Sequence, residues 1–216
     1  SMGLDKIIKG ISNSKIDLII GGPPCQAYSI AGRVRDVHGM ENDYRNYLFE
    51  SYIKILDYYK PNLFVFENVP GILSAAPGGI PIITRIREGF SAVGYDIITD
   101  IKNYALIDMS EYGVPQKRKR IVLIGIRKDF TKKDPQELLK IFYKQELPRY
   151  KEAELKTVSK AILDLPKLFP LITVETYKSK KYSHQPFKTE VSNHTPRFHS
   201  IRDIEIFSEL ATDSLK

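Results

Sequence analysis

The chain has 216 residues, 42% hydrophobic and 27% charged, a balance that excludes a disordered polypeptide and suits one or two globular domains with a sizeable core. Its apolar runs are far too short to span a bilayer, no basic start followed by an apolar stretch marks a secretory signal, and a single cysteine cannot form an internal disulfide, so a reducing cytoplasm is expected. A net charge of +7 invites a polyanionic partner, although charge alone describes a solvated lysine-rich surface equally well.

The opening SMG tripeptide reads as a cloning remnant. Leu4, Ile7, Ile8 and Ile11 share one face of a helix over 4–11. Residues 16–20 form a short β-branched strand, ended by Gly21, Gly22, Pro23 and Pro24 because proline cannot donate to a central ladder. The polar stretch 31–43 is expected to be a surface loop. Leu48, Tyr52, Ile55, Leu56 and Tyr59 make one stripe of a helix over 44–59 that Pro61 stops. Residues 63–66 are apolar throughout, as in a buried parallel strand. A helix is expected over 82–93 with Gly94 at its stop, then one or two strands over 95–107 and another strand over 120–126. Further helices are expected over 136–143, 158–165 and 201–210, with irregular polar chain from 170 to 197. Strands alternating with helices imply an α/β domain built on a parallel sheet, whose ligands bind beyond the carboxyl ends of the strands.

Three groups with chemical capacity sit at strand ends. Cys25 follows the first strand, in a loop and not inside the strand; a free cysteine is commonly a small buried hydrophobe, but a loop position with a cation nearby makes an accessible thiolate. Glu67 ends the apolar run LFVFE, where it either reaches water or, if partly buried, holds a proton at neutral pH. The run QKRKR, 116–120, is either a solvated basic patch or, if extended, a strand start with Gln116, Arg118 and Arg120 on one face. A cysteine-protease reading needs a histidine base, and none of His38, His184, His194 and His199 follows a strand end; without further cysteines they also make a poor zinc site.

GGPPCQAYS (21–29), FENVPG (66–71) and QKRKRIVLIG (116–125) resemble, in order and spacing, the Pro-Cys-Gln, Glu-Asn-Val and Gln-x-Arg-x-Arg motifs of the DNA cytosine-5 methyltransferases. The resemblance covers 4–125 closely, and 157–166 and 193–207 more loosely. It implies a Rossmann-like S-adenosylmethionine-dependent methyltransferase fold acting on double-stranded DNA, as in a bacterial, nucleoid-associated restriction-modification system. By the resemblance, Cys25 attacks carbon 6 of a cytosine extruded from the duplex, Glu67 meets ring nitrogen 3 and the exocyclic amine, Arg120 holds the ring carbonyl, Arg118 steadies Glu67, and Asn68 fixes its loop. A clamp over 26–45 would close on the DNA, bringing Gln26, Ser29, Arg33 and Arg45 to the flipped nucleotide or its phosphates, with Pro24 and Gln116 lining the same pocket. Pro23, Pro24 and Leu48 would touch the cofactor, and no metal is implied.

The chain departs from the family pattern. No glycine-loop cofactor strand precedes 16–20, and no variable region follows to read base sequence. The expected layout is a partial catalytic α/β domain over 4–169 and an irregular segment with a helix over 170–216 leading toward a target-recognition region. Such a catalytic middle, part of a larger or split enzyme, is expected to be inactive alone and to expose an apolar sheet edge that self-associates or takes a complementary chain. Two alternatives stand beside this reading. One is a cytosine-5 methyltransferase of transfer RNA, whose Cys-Phe-Thr tripeptide this sequence lacks; the other is a non-catalytic DNA-binding subunit, against which the intact Cys25, Glu67, Arg118 and Arg120 argue.

Overall fold

The computed structural model describes residues 6–7, 10, 15–24, 48–76, 79–166, 168–177, 179–184, 191 and 198–213. The chain divides into two compact units, Ser1–Lys156 and Thr157–Lys216.

The first unit is organised by a mixed sheet. Strand β1 (Leu18–Gly21) lies parallel to β2 (Leu63–Asn68), with Leu18 beside Leu63 and Gly21 beside Phe66. Helix α1 (Leu48–Tyr59) joins them and buries Phe49, Tyr52 and Leu56, a stripe at helical spacing. It stops at Lys60, whose φ of 47° turns the chain ahead of Pro61. After β2, a 3-10 turn (Pro70–Leu73) leads to α2 (Ile82–Ala92), which buries Ile82, Ile86 and Phe90. The stretch expected to hold one or two strands holds β3 (Tyr95–Ile97), a one-turn helix α3 (Ile101–Tyr104) capped by Asp100, and β4 (Leu106–Asp108). Strand β5 (Lys119–Arg127) then enters the sheet, and α4 (Pro135–Ile141), capped by Asp134, runs on through a π segment (Phe142–Glu146) into a 3-10 turn (Leu147–Tyr150).

The strand order is β1-β2-β5-β3, with β4 also paired to β5. The β1–β2 pair is parallel as expected, but β5 runs antiparallel to β2, β3 and β4, so the sheet is mixed and not wholly parallel. For β4 and β5 chain length is the reason. Only residues 109–118 separate β4 from β5, and a parallel return needs a crossover of a dozen residues or more.

Among the described residues the two faces of this sheet are unequally covered. Phe64, Phe66, Ile121 and Leu123 project toward α1 and α2 and are fully buried, each contributing roughly 1.5–3 kcal/mol of burial free energy. Tyr52 meets Phe64, Phe66 and Phe90 edge to face, with centroids 5.5–6.3 Å apart. By register, Leu18, Ile20, Val65, Val122 and Ile124 share the opposite face. There Leu18 is 47% and Ile20 70% exposed.

The β5 ladder has a gap on its outer side, between its pairing with β4 and its pairing with β3. Val122 N–H donates to Ala105 O (2.9 Å), and the Tyr143 hydroxyl fills the rest: it donates to Val122 O (2.8 Å) and accepts from Ile124 N–H (3.0 Å). The two backbone groups would otherwise be left without a protein partner among the described residues.

The second unit holds α5 (Val158–Ile162), capped by Thr157 and shorter than the expected helix over 158–165, and α6 (Ile201–Asp213), opened by a reciprocal Ser200–Asp203 capping pair. Between them, an antiparallel hairpin of β6 (Pro170–Tyr177) and β7 (Lys180–His184) forms where irregular chain is expected. Ile172, Thr173, Val174 and Thr176 are β-branched and favour extended chain. No helix among the described residues is long and apolar enough to cross a membrane.

Burial pushes the Tyr143 hydroxyl up to about 12 from its ordinary 10. The neutral phenol is favoured in the fold, so its contribution to stability is complete below pH ~10 and lost as pH climbs toward 12. Tyr143→Phe orphans Val122 O and Ile124 N–H at a cost of ~1–3 kcal/mol at neutral pH, and it removes this ionisation. Urea unfolding across pH should show the variant less stable at pH 7 and flatter than wild type from pH ~10 to 12.

Candidate active site

The site is built at the end of the sheet where β1 and β2 finish and the antiparallel β5 begins. Glu67 is the fifth residue of β2, which runs two residues beyond the expected 63–66. In the register Glu67 lies opposite Val122, so Arg120, two residues earlier on β5, shares its face on the diagonal. Arg120 Nε donates to Glu67 Oε1 at 2.9 Å, and its Nη1 donates to Lys119 O at 2.8 Å. The Arg120 side chain is 17% exposed and that of Glu67 43%. Glu67 therefore stands partly buried at the water boundary, with its carboxyl group held by a guanidinium.

Two glycines shape the approach to it. A Cβ on Gly22 would stand 2.8 Å from Glu67 Oε2, and one on Gly21 would stand 2.5 Å from the Tyr52 ring. Only a bare backbone lets the end of β1 pass both groups. Beneath it, the Tyr52 hydroxyl lies 2.9 Å from Val65 O and 3.2 Å from Ile19 O, tying β1 to β2, and burial holds its pKa well above the usual phenol range. The sequence signal for this role is weak, because Tyr52 shares its stripe with a second tyrosine, Tyr59, and the spacing marks both only as core.

Asn68 is 95% buried, with its Oδ1 accepting from Val69 N–H at 2.8 Å, which sets the turn out of β2. Gln116 and Arg118 are exposed and precede β5, which starts at Lys119. Gln116 N–H closes a tight turn onto Val114 O (2.8 Å), and Arg118 O accepts from Met109 N–H (2.8 Å). Among the described residues Arg118 has no ion pair, and only Arg120 meets Glu67. Pro23 and Leu48 are partly exposed and Pro24 is exposed, at the end of β1 and the start of α1. Cys25, Gln26, Ser29, Arg33 and Arg45 lie outside the described residues. Among the described residues no three His, Cys, Asp or Glu side chains gather as a metal site.

A family model of the C-5 cytosine-specific DNA methylases matches residues 4–210. The chain belongs to that family. It is 46% identical over 127 residues to the Type II methyltransferase M.Bpa9945I of Bacillus paralicheniformis, covering 56% of this chain and 28% of that protein. It is 34% identical over 178 residues to the Type II methyltransferase M.XorII of Xanthomonas oryzae pv. oryzae, covering 81% and 36%. The DNA (cytosine-5-)-methyltransferase M.ApeKI of Aeropyrum pernix is 37% identical over 142 residues, covering 56% and 29%. The chain thus spans about a third of the length of these relatives. Among solved structures, a protein from Escherichia coli described as a DNA modification methyltransferase encoded within a prophage aligns over 87% of this chain and 45% of its own, with a TM-score of 0.54 and 27% identity. The α/β architecture with its mixed sheet is the Rossmann-like fold of such methyltransferases.

A salt bridge exposed to this degree is worth only ~0–1 kcal/mol, too little to explain the Glu67–Arg120 pair as a stabilising device. Glu67→Gln should shift the free energy of urea unfolding by less than ~1 kcal/mol. A loss several times larger would make the pair structural.

Proposed function

We propose that this chain carries the covalent chemistry of DNA cytosine-5 methylation. The observation that supports it is the Arg120–Glu67 pair, 2.9 Å apart at the sheet edge where the Gly21–Gly22 end of β1 leads into Cys25. Carbon 5 of cytosine becomes nucleophilic only after addition at carbon 6. Cys25, as the thiolate, forms that bond. Glu67, carrying a proton at this step, donates it to ring nitrogen 3, where negative charge gathers during attack, and accepts from the exocyclic amine, while Arg120 fixes Glu67 and engages the ring carbonyl. Asn68 holds the turn beneath them, with Gln116 and Arg118 at the mouth of the site.

The cofactor implied by the family fits the described residues in part. Pro23, Pro24 and Leu48 offer apolar surface at the end of β1, suited to one wall of an adenine or thioether pocket. S-adenosylmethionine, when bound, supplies the methyl group that carbon 5 receives. Loss of the carbon 5 proton to solvent water leaves its electron pair to re-form the carbon 5–carbon 6 double bond, which expels Cys25 as the thiolate. The base reaches Cys25 by extrusion from the duplex, at a cost of a few kcal/mol, with Gln26, Ser29, Arg33 and Arg45 on the loop that closes over the DNA. The catalytic part of the chain is assigned to 4–169 and the approach to a target-recognition region to 170–216. The relatives named as Type II enzymes support a bacterial restriction-modification setting.

The complete gene product, offered a duplex carrying 5-fluorocytosine at the target base together with the methyl donor, should become irreversibly attached at Cys25. Peptide mapping finds the adduct, and Cys25→Ala abolishes it. Attachment elsewhere, or transfer to a transfer RNA and not to DNA, sinks the reading.

A second part of the proposal concerns the uncovered sheet face. Leu18 and Ile20 at the edge strand, with Val65, Val122 and Ile124 beside them, form an apolar surface that the 216-residue chain buries by self-association, unless a complementary chain takes it. Sedimentation velocity should show concentration-dependent oligomers that Ile20→Asp dissociates. A monomer at all concentrations contradicts it.

A further inference from the structure

At the catalytic end of the sheet, two strands from Glu67, lies a groove of about 370 Å³ that the chemistry above does not use. One wall is β4 with Lys119; the other is the turn carrying Lys144 and Lys151. Its charges are unevenly committed. Glu111 is ion-paired to Lys151, and Asp108 accepts from Ser110 N–H (3.1 Å) and Oγ (2.7 Å), bonds that hold its carboxyl below the usual range. Lys119 pairs by register with Asp108 and adds to that lowering, yet makes no ion pair with a described carboxylate. Lys144 stands 4.9 Å over the Tyr104 ring, which leaves its ammonium donors free to bond elsewhere, and it too has no carboxylate partner among the described residues. Two ammonium groups therefore face one groove with the local carboxylates already engaged.

We infer that this groove takes phosphates of the DNA backbone flanking the extruded cytosine, with Lys119 and Lys144 as the contacts. Placement favours this occupant. Strand β5 presents Arg120 toward Glu67 and the adjacent Lys119 toward the groove, because successive side chains alternate. Lys119 and Arg120 open β5 at the end of the sheet where Glu67 ends β2, on opposite faces of it. A backbone that crosses this end of the sheet to deliver a base to Glu67 on one face passes Lys119 on the other. Exposed Lys117 and Arg118 continue the positive surface toward the site. The inference rests on the methylase reading and adds to it where the duplex lies.

The test uses the complete gene product and a fluorescent duplex containing the target site, with affinity followed by anisotropy from 50 to 250 mM salt. Each of Lys119→Gln and Lys144→Gln should weaken binding several-fold at the low-salt end and reduce the slope of log affinity against log salt by about 0.9, the signature of one lost phosphate contact. The double variant should lose about twice that, and Lys119→Arg with Lys144→Arg should restore the slope. Lys128→Gln, the same charge change at the far end of β5 where Lys128 bonds Ser91, should leave the slope as in wild type. Trapping of 5-fluorocytosine DNA at saturation should persist in all of them. Slopes unchanged in the groove variants, or equally changed in Lys128→Gln, overturn the inference while trapping leaves the methylase reading standing. Failure of the wild-type protein to trap or bind DNA overturns both.

Discussion

The antiparallel entry of β5 is the constraint on which the site depends. In a wholly parallel sheet the beginning of one strand and the end of its neighbour lie at opposite edges, ~20 Å apart for a six-residue strand. Glu67 closes β2 and Arg120 opens β5, so parallel pairing would separate the carboxylate from the guanidinium by the length of the strand. The ten residues from 109 to 118 forbid a crossover between β4 and β5, so β5 runs against β4 and, since β4 points the same way as β2, against β2 as well; the register sets Asn68 against Ile121 and Arg120 diagonal to Glu67. A short connection, and no special property of the two side chains, makes them neighbours.

Much of this was legible in the sequence. The β-branched 16–20, the apolar 63–66 and the RIVLIGI run marked β1, β2 and β5 because they are too short for helices and rich in apolar residues, and Tyr52 with Leu56 marked α1 by spacing. Strand direction was not legible from those runs. Hydrophobic pattern reports burial and period, whereas direction follows from the length of what lies between, and β4 was hidden in a stretch whose alternation is broken by the one-turn helix at 101–104. The hairpin at 170–184 was missed for a different reason: the polar, lysine-rich character of 170–197 outweighed the β-branched residues inside it. At the site, Glu67 and Arg120 could be named from their motifs, but their pairing needed the register. Gln116 and Arg118 precede the first residue of β5, Lys119, by three positions and one, so the strand period does not govern them.

The sheet also explains why the two sides of the molecule behave differently. Helices α1 and α2 both pack on the face carrying Phe64, Phe66, Ile121 and Leu123, and Tyr52 fastens α1 to the backbone of β1 and β2. Glu67 and Arg120 share the other face with Val65 and Val122. The chemistry thus sits on the open side, where the carboxylate stays half exposed and a large planar ring can approach without displacing a helix. Building a site on the covered side would require a cavity in a close-packed core, at a cost that grows with its volume.

That arrangement is sensitive to register in a way most surface sites are not. Along β5 the basic residues alternate, Lys119 toward the groove and Arg120 toward Glu67, so a slip of one position exchanges them and turns Leu123 out of the core. Tyr143 opposes such a slip. Its hydroxyl spans Val122 O and Ile124 N–H, two groups one residue apart on each side of Leu123, in the part of the strand that neither β3 nor β4 pairs. Shifted by one, it would face Leu123 and find neither group where it now lies. A single buried phenol far from the reacting atoms therefore keeps the guanidinium on the correct side of the sheet, and the edge of β5 that lacks a strand neighbour becomes the point at which its alignment is read.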